Sequence, residues 1–178
     1  MIVKIVTSLL AVIFLLTIGC AHTGPAIPRA ELEKLEDEIE KEATEVYVHD
    51  WRRIWKVGIK ILDTLPDGSV KKRADIGALV GNNSEEIAEL FHLPSDKGCV
   101  VIEVAHNSIA KDAGIKSGDL IKLINGNEVD DRRDVVFEAG KTNTLVLERD
   151  GLEFPCNVKP KEAPYVRINL EQTGNINA

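Results

Sequence analysis

The sequence predicts an α+β protein, a small domain of short strands and two short helices preceded by a charged helix. Three observations carry that expectation. Residues Cys99 to Asn125 read as a buried strand, a turn, a short helix, a glycine-punctuated corner and a second apolar strand. Asp150-Gly151 is a hairpin turn between two apolar-rich segments. Leu32, Leu35, Ile39, Ala43 and Val46 recur at helical spacing within a run of acids. A chain of 178 residues has room for one domain with extensions or for two small domains, and a net charge of -7 argues against a nucleic-acid partner.

Taken in order, residues 1–19 read as a signal peptide. Lys4 precedes an apolar run from Ile5 to Ile18, short for a bilayer span and right for a secretory leader. Its ending, Leu16-Thr17-Ile18-Gly19-Cys20, resembles a bacterial lipobox, which implies acylation of Cys20 and cleavage before it. Acyl chains there would hold the protein stably at a bilayer, at about 0.8 kcal/mol per buried methylene. Ala21 rather than aspartate after the cysteine points to the outer membrane, or to the cell membrane in a Gram-positive source. Residues 20–30 form a tether of small residues, glycine and proline.

Residues 31–65 are the charged segment. Its first half is mostly acid and its second half, with Arg52, Arg53, Lys56 and Lys60, is basic, an order that suits one helix dipole. Tyr47, Trp51, Ile54, Trp55, Gly58, Ile61, Leu62 and Leu65 fit a helical face, although Trp55, Val57, Ile59 and Ile61 also fit an alternating strand; helix is preferred. The tryptophans either pack on the domain that comes next or form an interface between copies, acidic half against basic half.

The domain proper is expected over residues 68–160, with a tail from 161 to 178 in which Tyr165, Val166, Ile168 and Leu170 suit an extra strand. Ser84 to Leu90 and Ser108 onward carry helix-capping serines. Asp130-Asp131 can cap a helix over Arg132 to Ala139, closed by Gly140. Cys99 and Cys156 fall on strands, as free core residues or as a pair if their Cα atoms approach within about 7 Å. Neither they nor the four scattered histidines have metal or redox spacing, so no cofactor or metal is expected.

The order of Ala113-Gly114-Ile115, Gly118-Asp119-Leu120-Ile121 and Ile124-Asn125-Gly126 closely resembles the middle of a PDZ domain of the kind found in HtrA-type periplasmic proteases. The resemblance implies a partly open barrel in the permuted bacterial topology. It implies a carboxylate-binding loop at Ile76, Gly77 and Ala78, with Arg73 ahead of it. Backbone N–H groups in such a loop converge on a peptide carboxylate. The peptide then adds as a strand beside Leu79 and Val80, with Val135, Val136 and Ala139 of a second helix as the opposite wall. Asp75, where these domains often carry tyrosine, is a departure: its charge opposes a carboxylate unless Lys71, Lys72 and Arg73 offset it. The segment between Cys20 and the domain is too short for the family's protease barrels, and no serine sits in a nucleophile motif, so no enzyme is expected. The function implied is a membrane-tethered module that captures C-termini or extended strands of envelope proteins. The alternative is an assembly protein that oligomerises through its helix.

Overall fold

A computed structural model describes residues 28–93 and 97–164. The signal-like run, Cys20, most of the tether and the apolar tail from Tyr165 lie outside them. The chain divides into two compact units, residues 1–37 and 38–178, and every strand among the described residues belongs to the second.

The charged segment is one helix, α1 (Arg29–Leu62), so the strand alternative for Trp55 to Ile61 falls away. Its composition of Glu, Lys, Ala and Leu favours helix, and Leu65-Pro66 lies just beyond its end. Val48, Trp51 and Leu62 are its buried residues, while Ile39, Val46, Ile54, Val57 and Ile61 remain exposed.

The strands are β1 (Lys72–Asp75), β2 (Ala78–Asn82), β3 (Cys99–Val104), β4 (Leu120–Ile124), β5 (Asn127–Glu128), β6 (Asn143–Arg149), β7 (Leu152–Val158) and β8 (Lys161–Pro164). Between them lie the short helices α2 (Glu85–Leu90), capped by Ser84, and α3 (Ile109–Asp112), capped by Ser108. Strands β2-β3-β4-β6-β7, with β5 on β4, make one antiparallel sheet of six that is not closed into a barrel. Strands β1 and β8 form a separate antiparallel pair.

Two apolar clusters hold the second unit together. The larger gathers Ile76, Cys99, Val101, Ile115, Ile121, Leu145, Leu147 and Val158, and the smaller joins Val48 and Trp51 of α1 to Leu79, Val100, Ile102 and Ile87. Beneath the glycine corner, the Asp119 carboxylate is fully buried and accepts two hydrogen bonds from Arg149, at 2.5 and 2.7 Å, and one from the Lys116 N–H. Such bidentate pairing offsets the cost of burying the charge.

One expectation needs correction. The helix over Arg132–Ala139 does not form: residues 131–134 make a turn and 135–138 run without regular structure. The Asp131 carboxylate accepts from the Arg133 N–H and guanidinium, while Arg132 N–H donates to Asn82 Oδ1 at 2.8 Å. These side-chain bonds compete with a helical ladder, and Val135-Val136-Phe137 has little helix propensity to resist them. Cys99 and Cys156 are free, buried thiols on β3 and β7, with β4 and β6 between them in the sheet. The chain after Pro160 supplies a strand at Lys161–Pro164, pairing with β1, while Tyr165, Val166, Ile168 and Leu170, expected to suit an extra strand, lie outside the described residues.

Candidate functional site

The site is built around the connection from β1 to β2. Ile76 is buried in the larger cluster, which plants the loop in the core. Its carbonyl accepts from Ala110 N–H and that of Gly77 from Ala105 N–H, both at 2.9 Å, fastening the loop to the corner between β3 and α3. Gly77 has φ +76, and a Cβ there would fall 2.5 Å from Ser108 Cβ. Only glycine meets both conditions without strain.

The N–H groups of Ile76 and Gly77 point to one side, and an anion already lies there. Asp75 Oδ1 accepts from Ile76 N at 2.7 Å and from Gly77 N at 3.0 Å. Of the basic residues that could offset its charge, Lys72 is engaged with Asp67 at 3.0 Å.

After the loop, β2 pairs with β3 alone among the described residues, so its other edge carries no strand. Along it lies a cleft of about 170 Å3 whose floor is Ile76, Ala78, Leu79 and Val80. One wall is Trp51, Trp55, Gly58, Ile59 and Leu62 of α1, and the other is Arg132, Arg133, Val135 and Phe137. A dry cavity of about 150 Å3 holds a benzene molecule, so the cleft has room for roughly one apolar side chain of that size.

The cleft therefore brings together Arg73, Ile76, Ala78, Leu79, Val80 and Val135 from the expected site. Val136 is exposed and, like Ala139, lies outside the lining, because the chain there is not helical and Val135 and Phe137 turn inward instead. Sequence reasoning missed Phe137, the arginines of the 131–134 turn and the α1 residues as walls. The period of Trp51, Trp55, Gly58 and Leu62 was a usable signal for one packed face, though not for what it packs on.

Charge on the cleft is uneven. Arg73, Arg132 and Arg133 line it together with Asp75. Arg132 also lies over the Trp51 ring, 5.8 Å from its centroid. Arg133 bonds Asp131 at 2.8 Å, and that bond holds the Asp131 carboxyl below its usual range.

A glycine-hinged loop whose N–H groups converge on Asp75 is thus followed by an unpaired edge strand beside a cleft of mixed apolar and charged lining. A family model described as "PDZ domain" matches residues 69–139. The chain contains a PDZ domain. Its relatives by sequence include the "Probable periplasmic serine endoprotease DegP-like" of Hahella chejuensis, 31% identical over 113 residues, which are 61% of this chain and 24% of that protein. The "Periplasmic serine endoprotease DegP" of Escherichia coli K12 is 31% identical over 109 residues, 58% of this chain and 23% of the relative. Among solved structures, "HtrA-type protease AlgW with decapeptide" overlaps 53% of this chain and 31% of its own, at 25% identity and a TM-score of 0.49. The chain thus spans about a quarter of the length of these curated relatives, and the likeness lies in the PDZ domain.

Proposed function

We propose that this protein is a peptide-binding module that captures extended segments of other envelope proteins by adding them as a strand to the free edge of β2. The observation that carries the reading is that edge itself, unpaired among the described residues, preceded by the glycine loop and flanked by the cleft. Main-chain bonds to such an edge give affinity, and alternate side chains entering the cleft give specificity. Membership of residues 69–139 in the PDZ family and the periplasmic relatives support it. The lipobox-like Cys20 would hold the module at a membrane facing the periplasm, as an adaptor or scaffold with no catalysis of its own.

The test is a peptide array probed with the full chain in detergent, followed by an N-methyl scan of each hit. Strand addition uses every second ligand amide, so methylation should weaken binding tenfold or more at alternate positions and little between them. Uniform tolerance of N-methylation would rule the mode out. Gly77→Trp is a poor control, since the Cβ alone would collide with Ser108 and the fold would suffer with the site.

A second reading, assembly through α1, is favoured by one observation. Ile39, Val46, Ile54, Val57 and Ile61 are all more than a third exposed and lie on one side of the helix. Here a second copy, antiparallel, would cover them. Sedimentation equilibrium across a wide concentration range distinguishes a dimer from a monomer.

A further inference from the structure

Two N–H groups of the loop expected to hold a peptide's terminal carboxylate, those of Ile76 and Gly77, are taken in this chain by its own Asp75. We propose that the groove consequently selects internal extended segments, whose backbone runs on past the loop, and discriminates against free C-termini. This rests on the strand-addition reading above and specifies its ligand class.

Three facts converge. The bonds measure 2.7 and 3.0 Å, and they run from backbone N–H to an ionisable oxygen, the strong kind. They close locally, from a side chain to the N–H groups one and two residues on, so the cap forms with the loop and needs no partner. The loop cannot shift to offer a second set of donors, because Ile76 is buried and both its carbonyl and that of Gly77 are bonded to the β3–α3 corner. A C-terminal carboxylate would have to displace Asp75 and then sit beside the charge it displaced. A peptide that continues through the site brings no such charge. It loses nothing, because β2's edge, the apolar floor of Ala78 and Val80, and the walls of α1 and Phe137 are all beyond the loop.

The inference is tested by titrating the full chain with each array hit as free acid, as amide, and extended by four residues at its C-terminus. The expected result is affinity equal within about twofold for amide and extended forms, with the free acid no tighter. Asp75→Ala empties the two donors and should turn the preference round, giving the free acid at least tenfold over the amide. Asp75→Asn keeps an acceptor for the same N–H groups and removes the charge; it should move the acid-to-amide ratio only about threefold. That variant serves if the alanine variant fails to fold, as judged by its thermal melt. Tenfold or greater preference of the unsubstituted protein for the free acid would overturn the inference while leaving strand addition intact. So would Asp75 variants whose ratio does not move. Failure of every form to bind the folded chain would instead remove the strand-addition reading on which it stands.

Discussion

Cys99 has no exposed surface, and burial pushes its thiol up to about 12 from an ordinary 9.0, with Asp131, Asp134 and Asp130 adding a smaller effect of the same sign. Cys156 is shifted the same way, again mainly by burial. A group whose folded value is raised contributes stability that is fully present below the unfolded value. It is lost as pH climbs toward the folded one. Stability should therefore be level up to about pH 9 and then fall between there and about 12, by at most about 1.4 kcal/mol per pH unit for Cys99. Urea unfolding at a series of alkaline pH values measures it, and Cys99→Ala should flatten the decline. A decline unchanged in that variant would assign it to other groups. At this scale the sequence was readable where a residue acts on its neighbours, as with the capping Ser84 and Ser108. It was readable in part for Asp75, whose departure from the family is visible. The meaning of that charge depends on where two N–H groups point, which is a property of the folded loop.

Helix α1 shows what is gained and lost at the scale of an element. Trp51 is 5% exposed and packs into the smaller cluster, close over Gly81, where an added Cβ would lie 2.9 Å from its ring. Its indole N–H is buried without a hydrogen-bond partner among the described residues. Trp51→Ala should cost about 3–5 kcal/mol for the cavity it leaves. Trp51→Phe should cost less than half as much, since it keeps most of the buried ring and removes a polar group that is expensive to leave unpaired. Chemical denaturation of both variants, followed by far-UV circular dichroism, decides; equal losses would mean that the N–H is satisfied after all. The helix was legible because its period persists over many turns, and the strands because Asn125-Gly126 and Asp150-Gly151 mark their turns locally. The helix over Arg132–Ala139 was misread for the converse reason. An aspartate pair before Arg132 can cap a helix or fold an Asx turn, and Asn82, fifty residues away, decides between them. Strand β8 is short, without alternation, and is defined by its pairing with β1.

At the scale of the whole molecule, the exposed stripe of α1 has the pattern of a contact between two copies. The order of residues is self-complementary about Asp50: an antiparallel partner places Ile39 against Ile61, Ala43 against Val57 and Val46 against Ile54. That is the pattern an isologous two-fold contact requires, residue i meeting j and j meeting i. One residue opposes the fit. Asp50 lies on the same face at the dyad, 44% exposed and bonded to Arg53 at 3.3 Å, so it would face its own symmetry mate. Like charges in that position destabilise a helix contact, and the dimer of the unsubstituted protein should be weak. Asp50→Leu should then tighten association at least tenfold by sedimentation equilibrium. Val57→Glu, placed in the middle of the apolar stripe, should abolish it in both backgrounds. Because Asp50 and Val57 are solvent-facing, neither change should disturb the fold, and unchanged thermal melts would establish that. If the Asp50→Leu protein stays monomeric at high concentration, the stripe is not a self-contact. The peptide-binding reading, which needs only the opposite face of the same helix, would stand unaffected.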